Sequence, residues 1–389
     1  MIEVSATNPP PSRHILEGVP QVHFYQGSKR CPEDLSFASV VRACLEYLGD
    51  CEYGCKHAST LHPGCITTCT YAHILGICGT AFWLSWRPGF YTDNADFRFM
   101  SDDPEAPIRH TFQALGYEYT YLTPTAKHDE AYLRQRIIHS VRDLGRPVIS
   151  FGIVGPPECG IVTGYDEDGA VLVGWNYFQT DPAFTTGLET EPSGYYRKRD
   201  WFENCAGLVI LGEKHDRPTL GNIYRQALQW GIQVVRSPKV VANGISYHNG
   251  LAAYTSWAEH LSNDADFPID NETVLRNHHW IHEMAIGLVA EARWYGSQFL
   301  VGMTEHVDAG VHRDAIEDIY HAAGYLAGEH ELMWKLWDLE GGNGNPEAFR
   351  KMAEPAIRQQ MISVILQARD KLARAMEHVE RALAKWPNQ

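Results

Sequence analysis

Three apolar runs separated by turn signals occupy the middle of the chain. Residues 147–154 end at Gly155-Pro156-Pro157, residues 159–165 end at Asp166-Glu167-Asp168-Gly169, and residues 170–177 follow that turn directly. Short runs rich in Val, Ile and aromatic residues and closed by Gly, Pro and Asp predict consecutive strands of a meander. The Tyr- and Thr-rich residues 117–122 predict an earlier strand and residues 207–212 a last one. Helical spacing of Phe37, Val40, Val41, Cys44, Leu45 and Leu48 predicts a helix over residues 35–48, with Pro32-Glu33-Asp34 as its start and Gly49 as its stop. Residues 106–115 and 130–144 also read as helices. Pro182, Gly187, Pro192 and Gly194 predict a surface loop over residues 179–200, and loops of that length often serve as lids. Helices before the sheet and strands after it indicate an α+β domain.

Beyond Gly212 the pattern changes to helices near residues 218–236, 248–262, 271–302, 311–339 and 346–386. Pro238, Asp266-Phe267-Pro268, residues 304–310 and Gly341-Gly342-Asn343-Gly344-Asn345-Pro346 separate them, the last being a strong break with Pro at a first-turn position. A chain of 389 residues is too long for one ordinary core. The expected division is an N-terminal extension (1–19), an α+β domain (20–213) and an all-helical domain (214–389).

Composition narrows the function classes. A hydrophobic fraction of 44% supplies well-filled cores, while a formal charge of −15 argues against nucleic acid or an anionic membrane surface as partner. The N-terminus lacks a basic segment followed by an apolar one, and no run approaches ~20 apolar residues. A cytoplasmic protein is therefore expected. Nine cysteines, an odd number, then suggest reduced thiols or metal ligands rather than a disulfide framework.

The helix closed by Gly49, the Gly145-Arg146-Pro147 entry to a strand, Gly164-Tyr165-Asp166 and the closing strand at 207–212 occur in an order that resembles a papain-like cysteine-peptidase domain of the bacteriocin-processing or butirosin-biosynthesis-H type. The resemblance covers about residues 20–213 and implies a papain-like fold with an antiparallel sheet. It also implies a nucleophilic Cys at the start of the helix, a His shortly before Gly-Tyr-Asp and an orienting Asn or Asp one strand later. This sequence has Ser36 at the nucleophile's place, Glu158 and Cys159 at the His place, and Asn176 at the orienting place. No histidine occurs from Val141 to Lys214.

Without a base a serine hydroxyl stays protonated, so Ser36 reads more simply as a helix N-cap. Strand alternation lets only one of Glu158 and Cys159 face Ser36. An inward Cys159 could act as a displaced nucleophile, and an inward Glu158 as a base or a metal ligand. Trp175, Asn176 and Gln179 could then contact a ligand. Gly250, Ala253, Tyr254 and Trp257 resemble a helix found after butirosin-H-like domains.

Two clusters could hold metal. If Pro63 opens a helix, Cys65, Cys69 and His73 share one face, and Cys51, Cys55, His57 or His62 could complete a zinc site. The two-residue spacing usual for structural zinc is absent, and the plainer reading makes such cysteines small buried hydrophobes. In the helical half His278, His279, His282 and Glu283 share a helix, with His321 and His330 on a later one. Facing helices can build a metal site from such residues. Trp280, Trp294, Tyr295, Trp334 and Trp337 read as core.

The leading expectation is a divergent papain-like protein, possessing no cofactor, that binds a small molecule or peptide in the former catalytic cleft. The alternatives are a thiol-dependent acyltransferase or amide hydrolase of butirosin-H type, and a zinc protein. Self-association into a homo-oligomer is also open.

Overall fold

In the computed structural model, which describes residues 12–24, 27–28, 31–50, 66–304, 313–341 and 347–386, the chain divides into two compact units. Residues 1–51 and 117–214 form the first, and residues 52–116 and 215–389 the second. The α+β stretch drawn from sequence as continuous over 20–213 thus has an insertion. Residues 66–116 join the C-terminal helices because residues 70–86, in and after the helix Ile66–Cys78, are buried throughout there.

The first unit is an antiparallel sheet. Its strand order is Tyr117–Leu122, Gly207–Lys214, Val148–Phe151, Cys159–Asp166, Val171–Asn176, Tyr196–Arg199 and Leu188–Thr190. His14–Ile15 also pairs with Cys159–Asp166. The central strands are buried on both faces, so they read as continuous apolar runs rather than as an alternation. Gly164 is required where His14–Ile15 crosses, since a Cβ there would lie 2.6 Å from the His14 carbonyl oxygen. The neighbouring Asp166 accepts from Arg13 and Arg197, both at 2.9 Å, and ties that strand to the far side of the sheet.

Residues 179–200 are not a continuous loop. They contain the hairpin Leu188–Thr190 and Tyr196–Arg199, which continues the sheet from Val171–Asn176. Its polar composition suits an exposed sheet edge.

The second unit is mainly helical: Ile66–Cys78, Ala106–Leu115, Leu220–Arg236, Leu251–Leu261, Glu272–Thr304, Arg313–Glu340, Ala348–Lys351 and Pro355–Ala384. It is not all-helical, for Lys239–Ala242, Ile245–Asn249 and Ser85–Trp86 form a three-stranded sheet. Asn243 and Gly244, both at positive φ, make the tight turn of its hairpin. Trp280 and Trp334, read from sequence as core, are 50% and 43% exposed, whereas Tyr295 is fully buried. Among the described residues no helix is long and apolar enough to cross a membrane.

Candidate functional site

The helix Ser36–Tyr47 starts against the edge of the Cys159–Asp166 strand. Two contacts fix that start. The Tyr177 hydroxyl donates to the Glu33 carbonyl at 2.8 Å, and the Glu33 carboxylate pairs with Arg42 Nε at 2.8 Å, both side chains nearly inaccessible. Burial raises the Glu33 pKa, and Arg42 opposes the rise.

Ser36 is the first residue of the helix rather than its cap. Leu35 occupies the cap position with no side-chain cap. The Ser36 hydroxyl leaves its own helix, donates to Glu158 Oε2 and accepts from the Cys159 backbone N–H at 3.2 Å. The N-cap expectation therefore fails: a capping oxygen must accept from its own first turn, and here the acceptor function is spent on the strand.

Glu158, not Cys159, is the side chain that meets Ser36. Gly160 stands directly opposite Asn176 in the ladder, and a Cβ on Gly160 would lie 2.8 Å from Asn176 Nδ2. Cross-strand partners share a face, and so do residues two apart along one strand. The Asn176 side chain thus lies over Gly160, two residues along the chain from Glu158. Alternation turns the Cys159 side chain to the other face, where it is 1% exposed. Glu158 itself is half-buried.

Asn176 is held by its own turn: Oδ1 accepts from Phe178 N–H at 2.8 Å. Gln179 accepts from Asn176 N–H at 3.0 Å and donates to the Gly194 carbonyl at 3.0 Å, which makes it a strut between the turn and the edge hairpin. Trp175 is buried and donates to the Val19 carbonyl at 3.0 Å. Trp175 and Gln179, expected to contact a ligand, thus both make structural hydrogen bonds.

At the turn before Glu158 lie aromatic rings that sequence reasoning missed. Phe178 rests against Gly155, in the turn that leads to Glu158. Phe24 and Phe184 meet Phe178 edge-on at 5.1 and 5.2 Å and are 40% and 39% exposed.

The chain matches no protein-family model and no curated protein. Function therefore rests on the chemistry of the side chains.

Of the expected cysteine–histidine cluster, Cys51, Cys55, His57, His62 and Cys65 lie outside the described residues, as does the Cys69 side chain. His73 is buried, edge-on to Tyr224 at 5.8 Å. Cys44 and Cys78 are small buried hydrophobes, their thiols pushed up by burial to about 12 and about 11.

The helical histidines separate. His278 stacks on Phe90 at 4.5 Å. His330 bonds the Ala290 carbonyl at 2.8 Å and accepts from Trp334 Nε1 at 2.9 Å, and His321 lies beside His378. His279, His282 and Glu283 converge instead with Glu340, whose involvement no local spacing signals.

Proposed function

We propose that the N-terminal unit is a papain-like domain whose former catalytic cleft binds a small molecule or peptide without covalent chemistry. The observation that supports this most is the Ser36–Glu158 hydrogen bond, with a carboxylate where the family's imidazole would stand. An ordinary carboxylate, with a pKa of about 4.3 against about 6.5 for imidazole, is a weaker base by about 3 kcal/mol of proton affinity. An imidazole also returns its proton to the leaving group near neutral pH, a service a carboxylate renders poorly.

The same carboxylate is well suited to binding. It belongs to a half-buried residue two positions before Gly160, over which Asn176 lies, and follows the turn at Gly155 against which Phe178 packs together with Phe24 and Phe184. That combination favours a ligand with an N–H donor or an ammonium group attached to an apolar body. Thiol-dependent acyl transfer has less support, because Cys159 is almost inaccessible.

The test is a thermal-shift titration against primary amines and acetylated tripeptide amides carrying Lys or Phe. Binding is expected to raise the wild-type Tm, to persist in Ser36→Ala and to fall by at least about tenfold in affinity in Glu158→Gln, the loss of one charge-assisted hydrogen bond. Equal binding by wild type and Glu158→Gln would refute the role given to the carboxylate.

A further inference from the structure

The side-chain cluster left unexplained by the first site lies between two long helices of the second unit. Glu272–Thr304 presents His279, His282 and Glu283, and Arg313–Glu340 ends with Glu340. His279 is 8% exposed, His282 0% and Glu340 2%. His282 Nε2 and Glu340 Oε1 have no hydrogen-bond partner, and His279 Nε2 and Glu340 Oε2 have only each other. Native interiors rarely tolerate such groups, since each leaves a desolvation cost unmet.

These atoms are aimed at one another. His279 Nε2 lies 2.8 Å from Glu340 Oε2, close enough for an ion pair but not aligned as a hydrogen bond. His279 Nδ1 lies 3.5 Å from Glu283 Oε2. One donor atom from each of His279, Glu283 and Glu340 falls within 4.8 Å of the others. Bonds of about 2.0–2.2 Å from a central ion to nitrogen and oxygen need ligand atoms in this range of separations.

His282 has a different part. Trp257 Nε1 donates to His282 Nδ1 at 3.0 Å, so Nδ1 is the unprotonated nitrogen and the proton sits on Nε2. That proton faces Glu340 Oε1 at 3.7 Å. His282 therefore presents an N–H toward the carboxylate and does not offer a lone pair.

We propose that His279, Glu283 and Glu340 bind a divalent first-row transition-metal ion, with His282 as the positioning residue for Glu340. One imidazole and two carboxylates suit zinc, manganese or iron(II). Three protein ligands leave a position for water, the arrangement of a reactive rather than a closed site. Glu283, with a side chain 34% exposed, marks the side open to solvent.

The experiment is titration of the chelator-treated, untagged full chain with Co2+, Zn2+ and Mn2+, followed by calorimetry and by the visible spectrum of the cobalt form. One ion is expected to bind at this site. Glu283→Gln, at a partly exposed position, is expected to keep the fold and weaken binding by at least about tenfold; His282→Asn is expected to weaken it by about 10–100-fold while leaving the number of sites unchanged. Failure of the wild-type chain to bind any of the three ions would overturn the proposal. So would affinity unchanged in Glu283→Gln and His279→Asn but lost in Cys65→Ser/Cys69→Ser, which would move the metal to the cysteine cluster.

Discussion

Glu329→Ala is expected to destabilise the helical unit by about 3–5 kcal/mol, the usual cost of removing one partner from a buried ion pair. Arg293 and Glu329 are both 0% exposed, with Nε 3.0 Å from Oε1. The Tyr254 hydroxyl donates to the same carboxylate and accepts from Arg293 at 2.8 Å. Arg293 also donates to the carbonyls of Ala81 and Trp83, at 2.9 and 3.2 Å. One guanidinium thus joins the segment after the helix Ile66–Cys78 to three helices. Loss of Glu329 would leave it charged, buried and without its counter-charge. The double variant Arg293→Met/Glu329→Leu is expected to cost less than either single change, because the desolvation penalty disappears with both charges. Chemical denaturation of the three variants measures this. Near-wild-type stability of Glu329→Ala would show that the pair is not isolated from water.

Alkylation of Cys78 and Cys205 at pH 7 is expected to be slower than that of a free thiol by about 300-fold or more. Burial pushes both thiols up to about 11, and at pH 7 a thiol titrating there carries about 300-fold less thiolate than one at about 8.5. Cys44, pushed up to about 12, falls further behind. Cys159, 1% exposed, belongs to the slow class through poor access alone. Peptide mapping of iodoacetamide adducts resolves each cysteine, and rates should climb about tenfold per pH unit as thiolate forms. Rapid, selective labelling of Cys159 would restore the thiol-enzyme reading.

The central strands were legible in the sequence because turn residues bracket apolar runs, and the strand Tyr117–Leu122 coincides with its Tyr/Thr pattern. The edge hairpin was not: Glu189, Arg197, Lys198 and Arg199 supply no apolar periodicity, since edge strands face water. The hairpin at Asn243-Gly244 carried a strong local signal, overlooked among helices. Ser36, Glu158 and Asn176 could be placed near one another only through a resemblance. Which neighbour faced Ser36 depended on register, and a slip of one residue exchanges the faces of a strand. Glu340 had no local signal, because its partners lie on another helix and contact between helices is set by tertiary packing.

The decisive measurement is the intact mass of the protein after exposure to an alkyl fluorophosphonate, with peptide mapping at Ser36. A serine hydrogen-bonded to a carboxylate, with no imidazole partner among the described residues, should remain unmodified, and neither wild type nor Ser36→Ala should gain mass. A stoichiometric adduct on Ser36, absent from Ser36→Ala, would contradict a binding role and make Ser36 a nucleophile.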